Sequence, residues 1–573
     1  MKSVIDLNGI WKFTPTYDQK PTNNHNVVEA DVPLYAHPRL VRTHWEDVRV
    51  PGVWQCYAEK YSVFEGVCWF FREFEVGALS KESLARLVCK GINYKADIYI
   101  NGHPVGVHES AYTEFSFEIT RYLHIGVNVI AIQVDNRPTV VKWPNDWGYG
   151  VYGGIHRDIF IELYCGDAVY EPELTPDYCM ESGCGILSFC AKGTAAEVQL
   201  QICDTIHTVR NENGRFSAKL TFMDIQPWSP ECPRLYTVTV SVGQQVYAEY
   251  RVGFRNVACR GRQLLLNGIP VEMKGGCYLC DSPESGLALS RDELEADLLM
   301  MKKAHINAVR THYPMSDDFY SLCDDLGLMV WIEPNIYCSK PHEQERETVF
   351  CQQEFVDTAV RMTEEMVFGA RRFASVVIYG IGNECNTEHP EALPFFEKIA
   401  AAVRTQDRTR PIGYASLYGQ IGNIAHLIDV MGINSYYGWY GVIDPFDICD
   451  DRNGEIRCAD VSGVLELISQ AEEQTNSDTV LLLTEFGADS VPGYLSPECA
   501  LWSENYHAQV VEKYITAART RESVSGYFVF AFTDYKDPSK PLNGRWNGWN
   551  LKGMLTYDRT PKLPFWTLER MYR

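Results

Sequence analysis

The sequence predicts a multi-domain α and β protein. An N-terminal jelly-roll-like β-sandwich is followed by an immunoglobulin-like β-sandwich and a C-terminal (β/α)8 TIM barrel. Three observations predict this. At 573 residues the chain exceeds what one ordinary hydrophobic core organises. Its first half carries short alternating segments with few helical windows. From about residue 256 onward the pattern changes to apolar runs separated by helical windows.

Residues 1–166 form the first expected domain. The stretch 96–100 alternates apolar and polar residues and turns at Asn101-Gly102, a strong hairpin signal. The segments 115–119 and 127–134 continue the pattern, as a sandwich requires. Residues 167–255 repeat it in 197–202, 216–222 and 235–241, with a Pro-rich loop at 227–233, in a span the size of an immunoglobulin-like domain. Residues 256–573 hold apolar runs at 271–276, 306–311, 328–333, 375–381, 411–416, 429–434, 480–485 and 526–532. Helical windows lie between them, one opening with the capping box Ser290-x-x-Glu293. Eight buried strands with intervening helices over roughly 300 residues match a TIM barrel in count and size.

Barrel chemistry sits at the C-terminal ends of the strands. Glu384 follows the fourth run and Glu485 ends the seventh. Runs four and seven lie across the mouth from each other, so two carboxylates there can flank a scissile bond. Glycoside cleavage needs a proton donor to the leaving oxygen and a carboxylate on the opposite side of the sugar; in a retaining enzyme the second carboxylate is the nucleophile. Glu384 is the expected acid/base, its pKa raised by burial and by its partner. Glu485 is the expected nucleophile, which must be ionised. Asn383 stands ready to hydrogen-bond the sugar beside the acid.

Composition narrows the partners. The chain has 46% hydrophobic and 22% charged residues, net charge −23 and a pI near 5.1. Such acidity argues against nucleic acid or an anionic membrane as partner. An anionic ligand needs its own local cation here. No leader or span-length apolar stretch is evident, and the 19 Cys lack zinc-type pairing, which suggests reduced, mostly buried thiols and a cytoplasmic location. Aromatics clustered at 143–149 and 436–440 offer stacking platforms for sugars.

The chain resembles glycoside hydrolase family 2, and within it the β-glucuronidases, over nearly its whole length. The resemblance is carried by Leu7-Asn8-Gly9-Ile10-Trp11, Val50-Pro51-Gly52-Val53-Trp54, Gly154-Ile155-His156-Arg157, Arg310-Thr311-His312-Tyr313-Pro314, Asn383-Glu384 and Thr484-Glu485-Phe486-Gly487. It implies a sugar-binding N-terminal domain, a retaining mechanism, Glu384 as acid/base, Glu485 as nucleophile and no cofactor required for catalysis. A peripheral flavin (FMN) is left open, and no metal site is carried over. Asn550-Leu551-Lys552-Gly553 is similar to the stretch that holds the sugar carboxylate in β-glucuronidases. A buried uronate needs such a cation and amide. The resemblance also extends to Asp146 for sugar hydroxyls, Tyr436 and Tyr440 beside the nucleophile, Arg545 as a second cation, and Phe530 where a Trp is usual. It implies substrates that are small glucuronides or uronate-terminated oligosaccharides, and a homo-oligomer, dimer or tetramer.

Departures from the family pattern surround this core. The strand-one loop reads Gly276-Cys277-Tyr278-Leu279-Cys280-Asp281, without the family's His and Glu. The segment 336–360 is short and lacks a long apolar insertion, which suggests an open site. Alternatives are a β-galacturonidase or dual uronidase, then a β-galactosidase, and, remotely, a non-catalytic carbohydrate-binding protein.

Overall fold

A computed structural model of the protein describes residues 2–16, 33–80, 82–137, 139, 142, 152–337, 349–440, 458–537 and 548–573. The N-terminal sandwich packs a six-stranded antiparallel sheet against a four-stranded one. Its hairpin joins Lys95–Ile100 to His103–Glu109 through Asn101 and Gly102, both at positive φ (52° and 85°). That geometry is the two-residue turn the Asn-Gly pair favours. Trp11, Trp54, Phe13 and Phe70 lie in its core.

The second sandwich pairs a three-stranded sheet with a four-stranded one. This seven-strand arrangement includes the expected segments as Glu197–Ile202, Arg215–Phe222 and Tyr236–Val242. A small three-stranded sheet, Val257–Arg260, Gln263–Leu266 and Ile269–Pro270, then leads into the barrel.

The barrel is closed by eight parallel strands: β1 Met273–Tyr278, β2 Ala308–Thr311, β3 Met329–Ile332, β4 Val376–Asn383, β5 Ile412–Leu417, β6 Val430–Asn434, β7 Val480–Phe486 and β8 Val524–Val529. All eight expected runs form these strands. Their residues are buried on both faces, so they read as continuous apolar runs. After β1 comes helix α1, Arg291–Lys303, whose capping box forms: the Ser290 hydroxyl accepts from Glu293 N–H, and the Glu293 carboxylate accepts from Ser290 N–H. At Gly380 a Cβ would sit 2.4 Å from Glu333 Cγ, so β4 can approach the end of β3 only with glycine there.

The N-terminal sandwich is pinned to the barrel mouth. Tyr112 stacks on Tyr313 at 4.0 Å, Arg157 donates to the Pro314 carbonyl at 2.7 Å, and the Tyr152 hydroxyl donates to Asp281 at 2.7 Å. These contacts hold the loops after β1 and β2, which border the site.

Candidate active site

Glu485 lies at the end of β7 and is 2% exposed. It accepts from Arg310 at 2.7 Å and from His312 at 3.0 Å on Oε1, and from the Tyr436 hydroxyl at 2.6 Å on Oε2. Burial opposes its ionisation. The His312 hydrogen bond, the Arg310 and His312 charges and the Tyr436 hydroxyl outweigh that and pull its pKa down to about 2. Burial and the Glu485 charge push the Tyr436 phenol well above its ordinary value, so it donates rather than ionises.

Arg310, fully buried at the end of β2, organises this floor. Its Nε donates to Glu333 at 2.8 Å, one terminal nitrogen to Glu485 and the other to the Asn383 carbonyl at 2.7 Å. Its burial works against the charge, but Glu333 and Glu485 prevail and raise its pKa well above the ordinary value. One guanidinium therefore fixes three strand ends.

Glu384 follows β4 at φ 52° and is 8% exposed. That left-handed backbone is uncommon for a non-glycine residue and recurs at functional sites. Its Oε1 accepts from Asn434 at 2.7 Å. The same Asn434 amide donates to Asn383 at 3.0 Å, and its carbonyl accepts from the Thr484 hydroxyl at 2.7 Å. Asn434, from β6, thus links the residues around both carboxylates.

The Lys552 ammonium is fully buried and reaches the Tyr436 ring, whose hydroxyl holds Glu485. It donates to Asp489 at 2.5 Å and to the Tyr440 hydroxyl at 2.9 Å. It lies 4.8 Å from the Tyr440 ring centroid, 5.8 Å from that of Tyr436 and 5.9 Å from that of Trp439. Asn550 is buried, and its side-chain carbonyl accepts the Lys552 N–H at 3.2 Å. The Phe530 ring packs edge-on against His312 at 5.7 Å and Tyr436 at 6.4 Å.

The expected residues Glu384, Glu485, Asn383, Tyr436, Tyr440, Phe530, Asn550 and Lys552 thus gather at the C-terminal end of the barrel. Asp146 and Arg545 lie outside the described residues. Sequence reasoning missed Glu333, Asn434 and Asp489. Glu333 closes the third apolar run as Glu485 closes the seventh, a signal that could have found it. In the altered strand-one loop, Cys277 Sγ donates to the Thr484 carbonyl at 3.2 Å. Asp281 accepts hydroxyls from Tyr152 and Tyr557 at 2.7 and 2.9 Å, so this loop is a structural tie. The 17 described cysteines are free thiols; only seven are buried, fewer than expected.

The sequence model of the glycosyl hydrolases family 2 TIM barrel domain matches residues 257–573. Those of the glycosyl hydrolase 2 galactose-binding domain-like domain and of glycosyl hydrolases family 2 match 11–145 and 191–255. The chain is 24% identical to a β-glucuronidase of Paenibacillus borealis, over 98% of this chain and 95% of that protein. It is 25% identical to the rat β-glucuronidase, Rattus norvegicus, over 99% and 90%. Among solved structures, a β-galacturonidase from Eisenbergiella tayi bound to galacturonate superposes with a TM-score of 0.83, at 25% identity, covering 100% of this chain and 97% of that one. A β-glucuronidase from an uncultured Clostridium superposes with a TM-score of 0.85 at 22% identity, covering 100% and 98%. With the family's barrel matched over more than half its length, the chain belongs to glycosyl hydrolases family 2 and is a glycoside hydrolase.

Proposed function

We propose that the protein is a retaining exo-β-glucuronidase, hydrolysing β-D-glucuronides to glucuronic acid and an aglycone. Glu485, ionised across the neutral and mildly acidic range, attacks the anomeric carbon. Glu384 protonates the leaving oxygen, and a covalent glycosyl-enzyme forms. Glu384 then takes a proton from water, which releases the sugar from Glu485. As Glu485 gives up its charge to the new bond, the hydrogen bonds from Arg310, His312 and Tyr436 fix its orientation. The Asn383 carbonyl is occupied by Arg310 and Asn434, which leaves its NH2 for a sugar hydroxyl. This acid, base and nucleophile chemistry requires no cofactor.

The observation that carries the uronate reading is the buried Lys552 ammonium, ringed by Tyr436, Trp439 and Tyr440, with Tyr436 bonded to Glu485. A buried cation at the sugar's edge matches a carboxylate and gives a neutral CH2OH little. A second reading, β-galacturonidase, is favoured by the likeness to the Eisenbergiella tayi enzyme at 25% identity. The two acids share the carboxylate and differ at one ring carbon. Initial rates on nitrophenyl β-glucuronide, galacturonide, glucoside and galactoside test both. Glucuronide is expected to be cleaved fastest. A faster galacturonide selects the second reading, and a preference for the neutral sugars removes both. The expected cytoplasmic location and homo-oligomer belong to the same proposal; a sizing column with light scattering tests the latter.

A further inference from the structure

Four residues after Glu485, just past the end of β7, a second carboxylate pairs with Lys552. Asp489 is 1% exposed. Its Oδ1 accepts the Leu551 N–H at 2.9 Å and its Oδ2 the Lys552 ammonium at 2.5 Å. Ser490 N–H donates to the Leu551 carbonyl at 3.0 Å, so residues 489–490 and 551–552 are laced together through backbone and side chain. Next to them Lys562 pairs with Asp534 at 2.9 Å and also donates to the Leu551 carbonyl at 2.9 Å. Among the described residues the site therefore holds two buried ion pairs, Lys552 with Asp489 and Lys562 with Asp534. Two of the three ammonium hydrogens of Lys552 go to Asp489 and Tyr440, which leaves one for a ligand.

We propose that Asp489 is the positioning residue of the uronate clamp. It neutralises Lys552 before substrate arrives and holds the remaining N–H where the sugar carboxylate docks. Charge selectivity at this edge of the sugar is then a property of the Asp489–Lys552 pair, placed relative to Glu485 by the two residues between the end of β7 and Asp489. This inference rests on the uronidase reading above. Two opposing effects decide what loss of Asp489 does. Its charge repels an incoming carboxylate, but the two would sit on different sides of the ammonium. An ammonium buried without a counter-ion is the costlier state, so the lysine withdraws or sheds its proton instead. Loss of Asp489 therefore weakens uronide binding.

The test uses the better-cleaved of the glucuronide and galacturonide, with its matching neutral hexoside. kcat and KM are measured for the wild type, Asp489→Asn, Asp489→Glu, Lys552→Met and the double variant Asp489→Asn/Lys552→Met. Asp489→Asn is expected to raise the uronide KM by about tenfold or more, with a smaller change in kcat. It is expected to lower the uronide-to-hexoside selectivity in proportion, and Asp489→Glu to recover most of that loss. In the double variant, which removes both members of the pair, adding Asp489→Asn to Lys552→Met is expected to change KM and selectivity by less than about twofold. That comparison stands even where Asp489→Asn alone does not fold. The proposal is overturned by a wild-type KM and selectivity in Asp489→Asn, by equal losses on uronide and hexoside, or by a further drop in the double variant. Lys552→Met retaining the uronide preference overturns the uronidase reading itself. Lys552→Met losing that preference while Asp489→Asn keeps it overturns only the role of Asp489.

Discussion

The two polar regions at the barrel mouth treat charge in opposite ways. At the catalytic floor, Arg310 is shared between Glu333 and Glu485, and His312 and Tyr436 add donors to Glu485. At the clamp, each described lysine has its own aspartate: Lys552 with Asp489 and Lys562 with Asp534. The floor is arranged so that one carboxylate stays ionised whether or not substrate is present. At the clamp, among the described residues, each ammonium is matched by a carboxylate before any substrate enters. On the proposed reading, a nucleophile has to be charged before it attacks, whereas a specificity pocket needs charge only against its ligand. Buried unpaired ions are too costly to wait in the open.

The largest expected effect breaks the floor directly. Glu485→Gln leaves the donors but removes the attacking charge, and kcat is expected to fall on the order of 10^4-fold or more on every substrate. Steady-state rates check this, and a variant retaining hydrolysis above about a tenth of wild type would remove Glu485 as nucleophile.

Arg310→Met comes next, because it strands two buried carboxylates. A loss of about 3–5 kcal/mol is expected in chemical denaturation at pH 7. The pH dependence sharpens it. The Glu485 pKa is depressed to about 2 in the folded protein, below the ordinary carboxylate value. Its contribution to stability is thus fully present above the unfolded pKa of about 4.3 and is lost as pH falls toward 2. In Arg310→Met that window should narrow, and the acidic limb of kcat/KM should move upward. An unmoved limb would mean that Arg310 does not set the ionisation of Glu485.

Tyr436→Phe removes one donor to Glu485 while keeping the ring against Phe530. A loss of about 1.5–3 kcal/mol, or roughly 10- to 150-fold in kcat, is expected for a hydrogen bond to a charged group. Glucuronide and glucoside should suffer alike, because the floor serves both; a loss confined to the uronide would assign Tyr436 to the clamp.

The smallest effect lies outside both regions and serves as their control. Ser290→Ala deletes the capping box of α1 and should cost about 1 kcal/mol of stability, seen in denaturant midpoints. kcat and KM should not change. Altered kinetics there would show that strain elsewhere in the barrel reaches the mouth, and would blur the contrast between floor and clamp.

Much of this was legible in the sequence, for physical reasons. The fourth apolar run, 375–381, became Val376–Asn383, and the seventh, 480–485, became Val480–Phe486. Strands buried on both faces leave an uninterrupted apolar trace, and a carboxylate at its end is conspicuous. The capping box at Ser290 was equally readable, because both its partners lie within one helical turn. Asn434 was not. It is a polar residue at the end of β6, and nothing nearby in sequence says that its amide meets Glu384, 50 positions away.

The sequence by itself determined the family and the barrel and singled out the residues proposed to carry chemistry, because periodicity and motif spacing are local properties. Only the tertiary structure decided which charges are paired. Lys552 reads in sequence as a cation free for a substrate. In the fold it shares its charge with Asp489, 63 residues earlier. Hydrogen bonds and ion pairs act over a few ångströms of space, and closing the barrel brings β7 and the C-terminal segment within that range.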